Sequence, residues 1–403
     1  VKGFRRRYAP PSHRAAPLGQ DVPMRSLLML VALLAAIPAH AAETSLPALL
    51  RLLPQPPVGG LRPGQLVLAY ARVDLLAQQR GPTAVPGSTR SDAVANATPA
   101  AFGGITIHES MRWPAGSGFD FDAIEALLLL ETGPIPGGLR LLAGARMPPL
   151  AALSGPLAAR GFAPRRIAGQ EVLARGADNA PNIARRAPGD ALGGPLALSL
   201  RYAMPAPGLL LATREDATMA AALGGGGRLS DLAEMRALAA SSAGGPGARD
   251  LAQAVVFASA IHVAAPSVMG SPGATFDRMA AELRDTDTLP GPGPWAFAML
   301  SERRDAEGVV TRLAIPYRTP AAAEQAAAAM TARLGALPAV PGMGAARHLV
   351  IEGAVEGISV AVMEARQPAG TADTLMRAIV ARHYAGAPTP MTIGPVPRAA
   401  FAR

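Results

Sequence analysis

Four side chains with hydrogen-bonding heads fall within the stretch GADNAPNIARRAPGD: Asn179, Asn182, Arg185 and Arg186. Two amides and two guanidiniums can donate together to an anionic group or to a glycan. The stretch sits in a connection of about twenty residues between two strands, and unstructured connections of that length are commonly functional. The competing reading is a polar insertion enriched in Arg by overall composition.

His108 and Glu109 form a second pair. They lie in a stretch where Ile105, Ile107, Met111 and Trp113 alternate as on one face of a strand, and Glu109 interrupts that face. A hydrolase assembled from scattered Ser, His and Asp or from carboxylates would be sought there first. An acid at a sheet edge accounts for Glu109 equally well. In FDFDAIE, Asp120, Asp122 and Glu125 bring three carboxylates together. Calcium wants six to eight oxygens, whereas Asp122 and Glu125 have capping-box spacing, so a helix start with Asp122 as N-cap is expected.

Other chemistries are excluded by what is missing. His108, His262, His348 and His383 have no metal-ligand spacing, and H-E-x-x-H does not occur, so no metal is expected. His383 falls on the stripe of Met376, Ile379 and Val380 in the last helix, where packing is the expected role. The chain has no Cys, which removes thiol catalysis, disulfides and thiolate zinc sites. Lys2 is the only lysine, which removes P-loop, Ser-x-x-Lys and Schiff-base chemistry from the rest of the chain. LGGGGRLSD and GMGAAR lack the spacing and strand–turn–helix setting of a dinucleotide loop and read as turns. No Gly-x-Ser-x-Gly occurs. No cofactor is expected.

The elements that would position these residues can be read from periodicity. LVLAYAR predicts a strand over 66–72, followed by a short helix capped by Asp74. FDFDAIEALLLLETG predicts a helix. From Gly138 the pattern gives a strand to Arg146, a helix with Leu150, Leu153 and Leu157 on one stripe, and a hairpin turning near Gly169. Two strands follow, then a helix capped at Thr213 and a second from Ser230 or Asp231. LAQAVVFASAIHVAAPSVMG fits a buried helix or a strand. VVTRLAIPYRTP gives a strand to Arg318 and a helix with Thr319 as cap and Pro320 first. Two strands then turn near Gly353–Gly357.

Strand, helix and Gly-turned hairpin thus occur twice. The expected fold is α+β: two related sheet-and-helix modules with antiparallel sheets, over 61–286 and 291–385, joined by helices and by the linker DTLPGPGP. The tail 386–403 reads as disordered.

GLLLATREDATMAAALGGGGRLSDLAEMRALA resembles a pattern in uncharacterised exported bacterial proteins: a strand, an Ala-rich helix, a Gly-rich turn and a second helix after a hairpin. LVLAYARVDLL and RLAIPYRTPAAAEQAAAAMTARL are similar to their segments as well. The resemblance implies an α+β fold and an envelope location. It brings no activity and no site residues.

The compartment is also written near the start. In MRSLLMLVALLAAIPAHAAETS, Arg25 precedes the apolar run Leu27–Ile37, and Ala39 and Ala41 supply small residues at −3 and −1. The run is shorter than the roughly 18 residues of a membrane span and has the length of a signal h-region. We therefore expect a signal peptide over 24–41, cleavage after Ala41, and a periplasmic or secreted product with no transmembrane span. Residues 1–23 read as an upstream extension and 42–60 as a Pro-rich lead-in.

Charge fits that division. The chain has a formal net charge of +9. Six cations up to Arg25 stand against Asp21 alone, a net +5, which leaves +4 after Ala41. The remaining Arg are interleaved with acids, and aromatics are only 4%, so no stacking platform for nucleic acid is expected. The function expected is a non-enzymatic binding or envelope-associated protein taking an envelope component or an anionic or glycan ligand; the alternative is a periplasmic hydrolase.

Overall fold

The structure is a computed structural model that describes residues 44–55, 66–78, 116–131, 138–182, 198–242, 251–258, 295–305, 307–335, 337–355, 357–369, 374–385 and 387–393, with a few single positions between. These residues belong to one compact unit, Ala41–Arg403. His108, Glu109, Arg185 and Arg186 lie outside the described residues.

Helix α1 (Leu46–Leu50) precedes strand β1 (Leu66–Arg72) and helix α2 (Val73–Gln78). Strands β2 (Ala126–Leu130) and β3 (Leu139–Ala143) lead to helix α3 (Leu150–Ala158). Hairpin β4 (Ala163–Ile167) and β5 (Gln170–Arg175) and strands β6 (Leu200–Ala206) and β7 (Leu209–Thr213) follow. Helices α4 (Asp216–Leu223) and α5 (Ala233–Ser242) connect to β8 (Leu251–Ala258). Then come β9 (Phe297–Asp305), β10 (Gly308–Tyr317), helix α6 (Pro320–Gly335), β11 (Arg347–Val355), β12 (Ile358–Gln367) and helix α7 (Leu375–Tyr384).

The twelve strands of the described residues form one antiparallel sheet in the order β11-β12-β10-β9-β8-β1-β2-β3-β7-β6-β5-β4. The fold is α+β. The two stretches read as separate modules meet inside this sheet. β8 pairs with β1 on one side and with β9 on the other, placing Ala69 opposite Val255 and Val255 opposite Leu300.

Side chains alternate across a strand, and each set here meets its own apolar cluster. Ala69, Ala71, Leu313, Ile315 and Met363 face the layer holding Leu153 and Leu157 of α3, Met330 of α6 and Ile379 of α7. Leu68, Tyr70, Ala314, Val360 and Val362 face Leu49 of α1, Met219 of α4 and Leu238 of α5. The sheet is thus covered on both faces, an arrangement in which central strands read as unbroken apolar runs.

That burial explains one correction. ALLLL is strand β2, not a helix, and all five residues are buried. Before it stands only a single 3-10 turn, Phe121–Ala123, and neither Asp120 nor Asp122 makes the expected cap. Glu125 instead accepts from the backbone N of Ala145 (3.2 Å). A helix would turn some of these leucines to solvent, whereas a strand between β1 and β3 buries both faces. The first part of the ambiguous run, Leu251–Ala258, is strand β8 with all eight residues buried; the remainder of that run lies outside the described residues.

Two further caps move. Asp74 is the second residue of α2, and its carboxylate pairs with Arg72 (2.8 and 2.5 Å). Thr213 ends β7, and α4 starts from Glu215 as N-cap. The Thr319 cap stands as read, its hydroxyl accepting from Ala322 N (3.2 Å); Thr374, which the sequence reading did not single out, caps α7 through Arg377 N. The β4–β5 turn has positive φ at both Ala168 (48°) and Gly169 (78°), the two-residue form that matches strand twist. The start of the stretch read as a disordered tail is packed: Met391 and Ile393 are buried, and Trp295 Nε1 donates to the Ile393 carbonyl (3.3 Å).

Candidate functional site

Strand β5 ends at Arg175, and its last residues carry the chain to a corner beside the end of α3. The Arg175 guanidinium lies 4.8 Å over the Phe162 ring, which stacks on Tyr202 of β6 (5.2 Å, 18° between planes). Its Nη2 also donates to the Leu198 carbonyl (2.8 Å). A ring face and a carbonyl are thus among the contacts that position the Arg175 guanidinium.

The corner is fixed from the opposite face of the sheet by Arg201, a buried residue only 1% exposed. Its Nη1 and Nη2 donate to the carbonyls of Arg175 (3.3 Å) and Gly176 (3.1 Å), and Nη2 also reaches Asp178 Oδ1 (2.5 Å). Its Nε donates to Asp216 Oδ1 (2.6 Å), whose other oxygen accepts from Arg165 (2.7 Å). Burial alone would raise the Asp216 carboxyl; the guanidiniums of Arg201 and Arg165 outweigh it and hold that carboxyl below the usual range. The acids of the corner are therefore engaged by Arg201.

Beyond Asp178 the loop folds back on itself. Asn179 takes a positive φ (54°), its N donates to the Arg214 carbonyl (3.3 Å), and its Nδ2 donates to Glu215 Oε1 (2.5 Å). Ser199 N donates to the Ala180 carbonyl (3.0 Å), which closes the loop onto the start of β6.

This closure leaves a pocket of about 210 Å³ lined by Arg160, Arg175, Gly176, Pro181, Asn182 and Ser199, among others. Two arginines, an amide and a hydroxyl surround it, and none of its described lining residues is acidic. The volume is below that of most whole-ligand sites, about 300–1,000 Å³, and suits a single oxyanion or the anionic head of a larger molecule. Protein-family models, curated proteins and solved structures were compared with the chain, and none matches. The site must be read from its own chemistry.

Of the residues singled out in the sequence, Asn182 lines the pocket, while Asn179 is spent on Glu215 and anchors the loop. Arg160, Arg175 and Ser199 were not anticipated. They come from three places in the sequence and meet only when α3, β5 and β6 are assembled. The one available signal was Arg175-Gly176 at a strand end, opening the long connection. Among the described residues no group of three His, Asp and Glu could hold a metal ion, and no helix is long and apolar enough to cross a membrane.

Proposed function

We propose that this chain is an exported, non-enzymatic binding protein that holds an anionic group of its ligand in the pocket at the end of β5. The observation that carries the reading is that Arg160, Arg175 and Asn182 line one small concavity, with no acidic residue among its described lining residues. Charge-assisted hydrogen bonds to an oxyanion are worth roughly twice neutral ones, and a preorganised guanidinium loses little freedom in making them. A neutral glycan would gain less from two cations, so the anionic class is favoured over the glycan class.

The hydrolase alternative needs a base beside a nucleophile. The Ser199 hydroxyl donates to the Arg214 carbonyl (3.0 Å), and no His or carboxylate is among the described lining residues. The pocket favours holding over turnover. Export rests on the apolar run Leu27–Ile37 and the small residues before Ala42. Two ancestral copies are supported by the shared order strand–helix–hairpin in β3-α3-β4-β5 and β10-α6-β11-β12. They differ in that hairpin β6–β7 stands between β5 and β3, whereas β12 lies directly beside β10.

The test is calorimetric titration with phosphate, sulfate, acetate and glucose, repeated on Arg160→Gln. We expect an oxyanion to bind, glucose to give no heat of binding, and the variant to lose about tenfold or more in affinity, the size of one charged hydrogen bond. Equal affinity in the variant would refute the site.

A further inference from the structure

The two edges of the twelve-stranded sheet are built differently. Edge strand β4 carries Pro164, Arg165 and Arg166, and its first four residues are exposed. Proline and outward charges are the usual means of keeping an edge from pairing with another chain. The other edge, β11, has neither Pro nor Lys in RHLVIEGAV. Among the described strands it has a neighbour on one side only, β12. Its middle residues Leu349, Val350 and Ile351 are apolar and half-buried, whereas their partners Val362, Ala361 and Val360 on β12 are buried.

Leu349 and Ile351 pack on the cluster under α5, and Val350 on the cluster under α6. His348 stands on the α6 face, its Nε2 3.7 Å from Glu324 Oε1. Glu352 is exposed. Beyond Ile351 the register with β12 shifts and Gly353 takes a positive φ (56°), so the regular edge ends at this bulge. A two-fold axis perpendicular to the sheet keeps each residue on its own face, and residues opposite each other share a face. Such an axis therefore passes through a residue position. With the axis at Val350, Leu349 lies opposite Ile351 of the copy, and His348 opposite its Glu352, an imidazole facing a carboxylate. Moving the axis to Leu349 or Ile351 sets His348 or Glu352 against Val350 instead.

We propose that β11 is a self-association edge, on which a second copy of this chain pairs antiparallel about a two-fold axis at Val350. The backbone groups of an edge call for another strand. The matches of His348 with Glu352 and of Leu349 with Ile351 select the chain's own. Helix α6 packs on β11 and β12. With strands about 4.8 Å apart, the two copies of α6 stand about 10 Å or more apart, enough for helices to pass side by side. The pocket at β5 lies near the far edge of the sheet and stays clear of this junction.

The chain has no Cys, so an introduced thiol is its only one. Val350→Cys sets two thiols directly opposite each other, with Cα atoms about 4.5–5.5 Å apart, within disulfide reach. His348→Cys is more exposed, yet it lies four residues along from its counterpart, about 14 Å away and beyond reach. The experiment is mild oxidation of the full-chain variants, read as covalent dimer, beside sedimentation equilibrium of the parent. We expect a dimeric parent, a covalent dimer for V350C and none for H348C. His348→Glu sets Glu opposite Glu352 and should weaken the dimer about tenfold or more; adding Glu352→Arg should restore it. Association through the apolar run Leu27–Ile37 would not respond to this charge reversal. A parent still monomeric at about 100 μM, equal cross-linking of the two thiols, or an unweakened H348E dimer overturns the proposal. If V350C fails to fold, the charge reversal alone decides the matter.

Discussion

Glu364 of β12 gathers three arginines from three neighbouring strands: Arg312 (2.6 Å), Arg347 (2.5 Å) and Arg303 (3.3 Å). Burial alone would raise its carboxyl, but hydrogen bonds from Arg347 and Arg312 outweigh it and hold the group below its usual range. A carboxyl depressed in the folded state stabilises the fold fully above the ordinary carboxylate range, and that contribution is lost as pH falls through the depressed value. Glu364→Gln strands the buried Arg312, and removal of one partner of a buried pair costs about 3–5 kcal/mol. We expect denaturant unfolding at neutral pH to show that loss, and the variant's stability to fall less steeply than the parent's on acidification. An unchanged acid slope would deny Glu364 this role. Such residue-scale features are the least legible in sequence. Arg160, Arg175 and Ser199 carry the candidate pocket, yet in a chain with abundant Arg no local pattern sets them apart. Asn182 was legible because the length of its loop drew notice.

Elements were legible where periodicity or turn chemistry acted alone. The Thr319-Pro320 start of α6 and the hairpins at Gly169 and Gly353–Gly357 follow from local rules, and each is found. The misread element, β2, has no polar face in either conformation, so only its neighbours β1 and β3 decide between helix and strand. The close fit around β2 gives an element-scale prediction. A Cβ on Gly144 would lie 2.0 Å from the Ala123 carbonyl oxygen, at the point where Glu125 N bonds to Ala143 O (2.8 Å). Backbone cannot retreat as a side-chain tip can. Gly144→Ala should therefore cost about 1–3 kcal/mol in denaturant unfolding, the usual cost of overpacking. Full parental stability would show that the β2–β3 entry is looser than described.

At the scale of the whole molecule, β8 and β1 join what reads as two modules into one sheet; local patterns cannot reveal such a long-range pairing. Net charge is a property of the same scale. With +5 of the +9 residing before Ala42, the protein starting there should bind duplex DNA weakly. Each phosphate neutralised steepens the salt dependence by about 0.9 log units, and a slope indicating five or more phosphates would contradict the compositional account of its Arg. Protein recovered from the extracytoplasmic fraction should begin at Ala42 on N-terminal sequencing; a start at Met24 would count against export with cleavage. The central claim is that the β5 corner holds an anion. The most direct measurement is a crystal structure grown with selenate, located by its anomalous scattering. The account predicts an anomalous peak within hydrogen-bonding distance of Arg160, Arg175 and Asn182, absent in Arg160→Gln crystals. Selenate bound elsewhere, with only water in this pocket, would contradict it.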